Sequence, residues 1–436
     1  MDKFDVAIVG GGILGTTLAF WISSLYEGKV AVLEMEDEVA RHTSGRNTGV
    51  IHRPFYLHPE KRRIFARCAQ VSYGLWKDYS RAKNLPWKEV GTLEVATDES
   101  QVKYLEKYMD WAVQNGMGRD EVEFLKAEQV GTLEPHVNCL GAVFAKTDTS
   151  VDYSLMTQSV KRDALGMGAQ FLFGFKVRNI EFEKESLRIV STGGAQIVSR
   201  FLVNCAGGNA MDLAHLFSVG QEYTDLHFRG EYWEIGPVQS GLVGRNIYTV
   251  PKHPDIPFLD PHWIARADGR KEIGPNAVLV SGSGTYEGFF SGAGELFGKI
   301  FERPIKNKLS LFVNPDFLKL ASEEWVSSIS KSAMVRRVRR FIPELRAEHL
   351  AKRGTAGIRS SVIDSGGNFI KEAIEIPGPL SYHILNYNSP GATGAPAYTA
   401  HLAQKLDSLE NLSHLKKRSR PAQDLWDFSK IMEQVY

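Results

Sequence analysis

The N-terminal residues alternate between apolar runs and a glycine turn. Phe4–Val9 is a short apolar run that predicts a buried strand, Ile13–Leu25 predicts a helix, and Lys29–Leu33 predicts a second buried strand. A strand, a helix and a second strand in one short stretch form a βαβ unit, whose strands lie in a parallel sheet with a right-handed crossover. The pattern therefore predicts α/β structure at the start of the chain.

The remaining sequence alternates between helical and strand-like patterns. Residues 58–135 carry apolar positions at helical spacing, interrupted by a strand at Gly91–Ala96. Further helices are predicted at Val151–Ala164, Phe297–Arg340 and Ala397–Ser408. The other predicted strands are Ala169–Phe175, Lys176–Glu183, Leu187–Ser191, Gln196–Asn204, Leu226–Ile235, Ile247–Pro251, Phe258–Ala265, Ala277–Ser281, Gly354–Ile363 and Tyr382–Tyr387.

The α/β segments occur at the start, middle and end of the chain, separated by segments of mixed pattern. This arrangement predicts an α/β (α+β mixed) protein with a Rossmann-like nucleotide-binding domain and an inserted antiparallel-sheet substrate domain. The predicted nucleotide-binding stretches are residues 1–57, 150–225 and 354–415. The substrate domain is predicted from residues 58–149 and 226–353, and residues 416–436 are predicted to form a polar C-terminal tail.

Composition narrows the class of protein further. The chain has 52 Lys and Arg residues against 51 Asp and Glu, and a formal net charge of +1, so no global field attracts nucleic acid. The scattered Cys68, Cys139 and Cys205 form no CxxC, which excludes a clustered thiolate metal site and fits a reducing compartment. The uncharged stretch Val6–Ile22 is shorter than the ~20 apolar residues that span a bilayer. We therefore expect a cytoplasmic protein without a bound metal.

The turn after the first strand carries a dinucleotide-binding fingerprint. Gly10-Gly11-Gly12-Ile13-Leu14-Gly15 is a GxGxxG that follows a predicted strand and opens a predicted helix. Gly10 permits the tight turn, Gly12 lets the backbone approach a pyrophosphate, and Gly15 lets helix and strand pack closely. The helix N-terminus, including Ile13 and Leu14, offers N–H groups to the phosphates. Glu34 ends the next strand, where its carboxylate can accept from a ribose 2′-OH.

Two later turns resemble the first in being rich in small residues. The strand ending at Asn204 is followed by Cys205-Ala206-Gly207-Gly208, and Ser389-Pro390-Gly391-Ala392-Thr393-Gly394 precedes the last predicted helix. Small residues at the end of a strand allow a bound dinucleotide to approach the backbone. A chain that returns to its cofactor several times favours FAD over NAD. The final turn also starts a helix whose N-terminal dipole can stabilise an anionic reduced flavin.

Several longer segments resemble the D-amino-acid-oxidase-like FAD oxidoreductases and, within them, the L-2-hydroxyglutarate dehydrogenase/oxidase family. The most specific of them are Phe228-Arg229-Gly230-Glu231-Tyr232 and Gly274-Pro275-Asn276-Ala277-Val278-Leu279. The others are Phe4–Glu34, His42–His52, Ile342–Leu345, Gly357–Arg359 and Leu385–Thr393. The resemblance implies FAD, a two-domain D-amino-acid-oxidase-like fold, and oxidation of a short L-2-hydroxy dicarboxylate to the 2-oxo acid with hydride transfer to flavin N5.

The same resemblance implies a set of site residues. Oxidation of a 2-hydroxy acid needs a base with a pKa near neutrality, for which histidine is suited, and a carboxylate clamp, for which arginine is suited. His52 and His262 are both candidates for the base, and the choice between them stays open. Arg359 is expected to bind the substrate carboxylate, whereas Arg229 either helps to hold substrate or pairs with Glu231. The expected cofactor contacts in addition to the three turns are Thr43, Ser44, Asn47, Thr48 and the backbone of Val177.

The chain departs from the family pattern near the expected substrate site. The departures are Arg46, Arg53-Pro54-Phe55 and Trp263-Ile264. Arg53 and Phe55 replace small residues, so they could shorten the site or add a carboxylate partner, which makes L-malate a competing substrate in an L-malate:quinone oxidoreductase-type activity. An FAD amine or amino-acid oxidase, a glycerol-3-phosphate dehydrogenase, and a flavoprotein without turnover are further alternatives.

A basic segment bears on the electron acceptor, which is expected to be quinone or oxygen. Residues 331–353 contain eight Lys or Arg against two Glu, with apolar residues at roughly helical spacing. Such a helix can lie on an anionic membrane surface, here the inner face of the cell membrane, and deliver electrons to quinone. The favoured interpretation is a solvated helix that packs its apolar side on the substrate domain.

Overall fold

The computed structural model describes residues 1–252, 256, 260–288, 293–302 and 304–436, with the backbone alone at 293–295. The strands are β1 (Asp2–Val9), β2 (Tyr26–Glu27), β3 (Val30–Leu33), β4 (Val50–Ile51), β5 (Trp87–Lys88), β6 (Thr92–Ala96), β7 (Val122–Lys126), β8 (Gly141–Ala145), β9 (Thr149–Val151), β10 (Gln170–Leu172), β11 (Val177–Phe182), β12 (Leu187–Ser191), β13 (Gln196–Asn204), β14 (Thr224–Ile235), β15 (Asn246–Thr249), β16 (His262–Ala265), β17 (Lys271–Gly274), β18 (Val278–Val280), β19 (Leu350–Ile363), β20 (Ile374–Gly378), β21 (Ser381–Leu385) and β22 (Lys416–Lys417). The α-helices are α1 (Ile13–Leu25), α2 (Arg63–Lys83), α3 (Glu99–Gln114), α4 (Ala127–Leu133), α5 (Tyr153–Gly166), α6 (Ala210–Leu216), α7 (Ala293–Ile300), α8 (Ile305–Phe312), α9 (Pro315–Ile329), α10 (Lys331–Val338), α11 (Gly391–Ser408) and α12 (Phe428–Val435).

The first sheet is built around β1, the strand that precedes the glycine turn. β1 is parallel to β3 on one side and to β13 on the other, and the parallel set continues to β10 and β21. Val6 and Ile8 face one core while Ala7 and Val9 face the other, as expected of a strand buried on both faces. The carboxyl ends of β1, β3 and β13 therefore meet at one edge, where Rossmann-like folds bind dinucleotides.

The second sheet is mostly antiparallel and carries the substrate-domain residues. Its longest pairing joins β14 to β19, from Thr224 opposite Ile363 to Ile235 opposite Leu350. The sheet continues through β17, β16, β15, β6, β8 and β7, with β15 and β6 parallel. This mixed architecture, with one largely parallel and one largely antiparallel sheet, confirms the predicted fold class.

The sheets divide the chain differently from the predicted domain stretches at two places. Residues 354–363, which the sequence places in a nucleotide-binding stretch, belong to β19 in the second sheet. Helix α2 falls within the predicted substrate stretch 58–149, but it packs along α11 and contributes Cys68 and Trp76 to the first core. The local sequence does not predict either placement, because each depends on a distant element against which the segment packs.

The C-terminal residues, predicted as a polar tail, pack several side chains into the first core. α12 buries Ile431 and Val435, and Trp426 is only 1% exposed. The Trp426 ring lies 4.9 Å from Phe20 and 5.6 Å from Trp76, measured between ring centroids. The segment is mostly polar, but its few aromatic and aliphatic side chains pack into the first core.

The predicted long helix Phe297–Arg340 is observed as separate helices, α7 to α10. Pro304 directly precedes α8, Pro315 is the first residue of α9, and Ser330 caps α10 by accepting a hydrogen bond from the Ala333 N–H. Proline has no backbone N–H to donate within a helix, so it interrupts a long helix and is favoured where α8 and α9 begin. Of the predicted strand Phe258–Ala265, residues 258–259 lie outside the described residues, and the observed strand begins at His262.

Candidate active site

A cavity of about 570 Å³ lies against the carboxyl edge of the first sheet and reaches β14 and β19 of the second. It is lined by nearly all the predicted cofactor residues: Gly10, Gly12, Ile13, Leu14, Glu34, Thr43, Ser44, Asn47, Thr48, Val177, Ala206, Gly207, Pro390, Gly391, Ala392 and Thr393. Gly15 does not line it, but a Cβ at Gly15 would collide with the Gly10 carbonyl, which agrees with its predicted packing role.

The glycine turn leaves room for a ligand to reach the backbone. Gly10 has φ +109°, and a Cβ there would meet the Cys205 carbonyl, so only glycine fits. A Cβ on Gly12 would lie 3.0 Å from Ser44 Oγ. The first turn of α1 has no acidic residue and no side-chain cap, although the Ile13 N–H donates to Ser44 Oγ. The positive end of the helix is thus available to a pyrophosphate.

Glu34 is held in the orientation that a ribose contact requires. Its carboxylate accepts hydrogen bonds from the Gly11 N–H at 2.6 Å and the Glu36 N–H at 2.9 Å. The side chain is 6% exposed and lines the cavity at the end of β3. A carboxylate fixed next to a glycine turn and a helix N-terminus fits the adenosine half of a dinucleotide. These residues would hold FAD at its ribose and pyrophosphate.

The other two turns approach the same cavity. Gly207, just beyond the end of β13, has φ +55°. α11 begins at Gly391 rather than at the predicted Ala397, so its N-terminus faces the cavity, and Thr393 Oγ1 accepts a hydrogen bond from the His52 N–H at 3.1 Å. This bond ties the flavin-side turn to the candidate base.

His52 is oriented by a carboxylate that the sequence analysis missed. His52 Nδ1 lies 2.9 Å from Asp148 Oδ2, and the other Asp148 oxygen accepts from the Arg53 N–H at 2.8 Å. Asp148 is fully buried, whereas His52 lines the cavity. Asp148 accepts a hydrogen bond from the Nδ1–H of His52, so the neutral ring keeps its lone pair on Nε2. A lone aspartate before a short strand gives no pattern in sequence, because β9 brings it to β4 only in the folded sheet.

His262 is placed behind the cavity wall rather than on it. Its ring stacks on Tyr248 with centroids 4.1 Å apart, and its Nε2 lies 3.2 Å from Tyr232 Oη. Its Nδ1 lies 2.9 Å from the Asp260 carbonyl, which requires a proton on Nδ1. Burial lowers the pKa of His262 to about 3. A neutral, buried His262 positions the two tyrosines.

Tyr248 and Tyr232 connect the two histidines. Tyr248 Oη lies 3.2 Å from His52 Nε2, so its hydroxyl can donate to the lone pair of the ring. Tyr232 lines the cavity and is buried. Next to this group, burial raises the pKa of Glu94 to about 8, with a contribution from the Asp148 charge. Glu94 is therefore largely protonated at neutral pH.

The structure separates the two candidate arginines. Arg359 lines the cavity from β19, and removal from water together with the charge of Arg62 lowers the pKa of its guanidinium. Arg229 does not line the cavity: its Nη2 lies 3.0 Å from Glu231 Oε1, and its Nη1 donates to the carbonyls of Thr285 and Gly288. Of the two roles considered for Arg229, this geometry corresponds to the structural pair with Glu231.

The family departures lie mostly away from the cavity. Arg53 is 1% exposed, and its guanidinium is bonded to Thr147, Gln70 and Glu121. Phe55 packs on Tyr108, while Trp263 and Ile264 are fully buried in β16. Arg46 does line the cavity, with its guanidinium 4.1 Å from the Tyr286 ring centroid. The expectation that Arg53 or Phe55 shortens the site is therefore corrected, because Phe55 packs in a hydrophobic core and the Arg53 guanidinium is bonded to polar side chains away from the cavity.

The basic segment 331–353 packs its apolar side inward. Met334, Val335 and Val338 are buried against the second sheet, and Arg337 forms an ion pair with Glu324 at 2.8 Å. Within the part of the chain that the structure describes, no helix is both long and apolar enough to cross a membrane. Membrane contact through this segment stays a prediction.

The cavity and fold define an FAD-dependent oxidoreductase. The sequence profile of the FAD dependent oxidoreductase family matches residues 5–405, and the chain belongs to that family. The predicted cofactor, fold class and enzyme class are confirmed. Within the family, the chain is similar over nearly its whole length to L-2-hydroxyglutarate dehydrogenases, which confirms the predicted relationship.

Two of these relatives and one solved structure illustrate the similarity. The chain is 29% identical to mitochondrial L-2-hydroxyglutarate dehydrogenase from Homo sapiens, covering 93% of this chain and 89% of that protein. It is 30% identical to the Caenorhabditis elegans protein of the same name, covering 91% and 92%. Dithionite-reduced L-alpha-glycerophosphate oxidase from Mycoplasma pneumoniae with FAD bound has a TM-score of 0.72 at 20% identity, over 96% and 97% of the chains, and shows the shared fold.

Proposed function

We propose that this protein oxidises a short L-2-hydroxy dicarboxylate, with L-2-hydroxyglutarate as the substrate, to the 2-oxo acid. The observation that carries the proposal is the Asp148–His52 dyad opening on the cavity that Arg359 also lines. Similarity to L-2-hydroxyglutarate dehydrogenases supports the choice of substrate. A quinone or oxygen is the onward electron acceptor that we expect.

His52 serves as the base in this proposal. Its Nε2 takes the proton of the substrate hydroxyl while Asp148 stabilises the imidazolium that forms. Tyr248 Oη lies 3.2 Å from the same nitrogen, which marks the position that the substrate hydroxyl takes in this proposal. His262 is not the base in this proposal, because its ring does not line the cavity and burial lowers its pKa to about 3.

Arg359 binds the carboxylate next to the reacting carbon. A planar guanidinium fixes a carboxylate through two parallel hydrogen bonds and so orients the C2–H bond. FAD, when bound, supplies the acceptor for the C2 hydrogen and its two electrons. Loss of the hydroxyl proton to His52 and of a hydride from C2 balances the oxidation of the alcohol to a ketone.

We place L-2-hydroxyglutarate ahead of L-malate because the similar proteins are L-2-hydroxyglutarate dehydrogenases and because Arg53 and Phe55, which could shorten the site, do not line the cavity. If the substrate were an amine, sarcosine would reduce the flavin in the following experiment. Anaerobic protein is mixed separately with L-2-hydroxyglutarate, L-malate, sarcosine and glycerol-3-phosphate, and flavin absorbance is followed. The proposal predicts the fastest bleaching with L-2-hydroxyglutarate. Bleaching by sarcosine or glycerol-3-phosphate alone would overturn it.

A further inference from the structure

Arg266 belongs to the second sheet but contacts a loop that lines the cofactor side of the cavity. It directly follows β16, and its side chain reaches residues 42–49, which we call the cofactor loop. Asn47 and Thr48 of this loop line the cavity, whereas Arg266 does not. Arg266 Nη1 donates to the Asn47 carbonyl at 2.5 Å. Arg266 therefore binds the cofactor loop from outside the cavity.

The guanidinium of Arg266 is itself held by a buried carboxylate. Its Nε and Nη2 both donate to Glu272 Oε2, at 2.8 and 2.5 Å, and the Arg266 side chain is 10% exposed. The other oxygen of the fully buried Glu272 accepts from the N–H and the hydroxyl of Thr355 on β19. Because the guanidinium is planar, fixing two of its nitrogens also fixes the direction in which Nη1 donates. The pair thus ties the Asn47 carbonyl to two strands of the second sheet.

The side chain of Asn47 is used within the cofactor loop. Its Nδ2 donates to the Ser44 carbonyl at 3.0 Å, and its Oδ1 accepts from the Gly49 N–H at 2.8 Å. The loop also contains a short 3₁₀ turn, Thr43–Gly45, that has no side-chain cap. The backbone carbonyl of Asn47 is therefore the atom through which Arg266 sets the orientation of the next peptide.

The bond to the Asn47 carbonyl also orients the N–H of the following residue. The Asn47–Thr48 peptide is trans, so its C=O and its N–H point in opposite directions. With the carbonyl turned to Arg266, the Thr48 N–H points away from it, and this N–H has no hydrogen-bond acceptor among the described residues. Because Thr48 lines the cavity, its N–H is available to a bound ligand.

We propose that Arg266 is a positioning residue for FAD, because it holds the Asn47–Thr48 peptide in the orientation that offers the Thr48 N–H to the cofactor. Without this contact the loop would populate several conformations, and FAD would bind only the competent fraction, which lowers the apparent affinity. The proposal concerns the cofactor alone, so it does not depend on which substrate the enzyme oxidises.

Two variants of the ion pair test this role. Arg266→Lys keeps a positive charge beside Glu272 but loses the planar fork that also reaches Asn47. Arg266→Met combined with Glu272→Gln removes both buried charges and keeps an acceptor for Thr355. The double variant therefore leaves no buried charge unpaired, which is the usual reason that loss of one partner unfolds a protein.

Arg245→Lys is the matched control. Arg245 also belongs to the second sheet region and pairs with a buried carboxylate, with Nη1 2.9 Å from Glu134 Oε1. Its guanidinium lies 5.5 Å from the centroid of an aromatic ring, as does that of Arg266. Among the described residues, the hydrogen bonds and ion pairs of Arg245 do not include the cofactor loop.

FAD affinity is measured by serial dilution of the FAD-loaded proteins, with the fluorescence of released FAD giving the dissociated fraction. Arg266→Lys and the double variant should bind FAD about tenfold to a hundredfold more weakly than the parent, as for loss of a hydrogen bond from a charged group. Arg245→Lys should stay within about twofold of the parent. Far-UV circular dichroism checks that each variant is folded.

Two results would overturn the assignment. One is an unchanged FAD affinity in the Arg266 variants that fold, and the other is an equal loss of affinity in Arg245→Lys, which would indicate a general loss of stability in the second sheet. If Arg266→Lys does not fold, the double variant decides alone. Neither result bears on the substrate, which the flavin-bleaching experiment tests separately.

Discussion

At the scale of single residues, Asp148 decides how His52 can act. It accepts from Nδ1 at 2.9 Å and is itself fixed by the Arg53 N–H, so the ring presents Nε2 in one orientation. An amide in place of this carboxylate would still fill the space. It would no longer stabilise the imidazolium, and its NH₂ group would favour the opposite tautomer.

Asp148→Asn is therefore expected to lower kcat for L-2-hydroxyglutarate by about 100-fold or more, with a small change in KM. Steady-state kinetics with the FAD-loaded variant measure both. Asp152→Asn is the control, because Asp152 only caps α5 by accepting from the Leu155 N–H, which asparagine also does. Unchanged kcat in Asp148→Asn would exclude the dyad from catalysis.

His262 gives a prediction about stability rather than rate. Its pKa is about 3 in the folded protein and about 6.5 when unfolded, so below pH 6.5 the unfolded state takes up a proton that the folded state does not. Proton uptake by the unfolded state lowers the free energy of unfolding by about 1.4 kcal/mol for each pH unit below 6.5, until the pH approaches 3. Above pH 6.5 His262 is neutral in both states and this loss of stability is absent.

Urea unfolding of parent and His262→Gln protein between pH 4 and pH 7 tests this effect. The free energy of unfolding of the variant should fall less steeply with decreasing pH than that of the parent. Parallel curves for the two proteins would show that His262 is not buried as a neutral ring.

At the scale of elements, the sequence predicts a helix, strand or turn well when neighbouring residues alone determine it. The turn Gly10–Gly15 and the helix after it are specified within a few residues, and both are found where predicted. Other features are not specified locally, because each joins segments far apart in the chain. They are the packing of α2 on α11, the pairing of β19 in the second sheet and the contact between Asp148 and His52.

The C-terminal segment offers a test of one such long-range contact. Trp426 packs against Phe20 and Trp76 and donates to the Leu75 carbonyl at 3.2 Å. Trp426→Ala should lower the free energy of unfolding by ~3–5 kcal/mol, measured by urea titration followed by far-UV circular dichroism. Leu425→Ala, at a position 37% exposed, should stay within ~0.5 kcal/mol of the parent. Equal effects of the two changes would contradict the buried position of Trp426.

At the scale of the whole molecule, the site is assembled where the two sheets meet. The first sheet contributes the cofactor turns, and β19 of the second contributes Arg359. The near-zero net charge of the chain gives no sign of this site, where Arg359 and His52 line the same cavity. Family membership and cofactor were predictable because their motifs are contiguous. The proposal of His52 as the base rests on its contact with Asp148, which only the folded structure brings about.

The central claim is stereospecific oxidation of an L-2-hydroxy dicarboxylate, and a single-turnover reaction tests it most directly. Anaerobic FAD-loaded protein is mixed with one equivalent of L- or D-2-hydroxyglutarate, and flavin absorbance and 2-oxoglutarate are quantified together. The L-enantiomer should bleach the flavin and yield one 2-oxoglutarate per flavin reduced, and the D-enantiomer should do neither. Bleaching without 2-oxoglutarate, or no bleaching by the L-enantiomer, would contradict the claim.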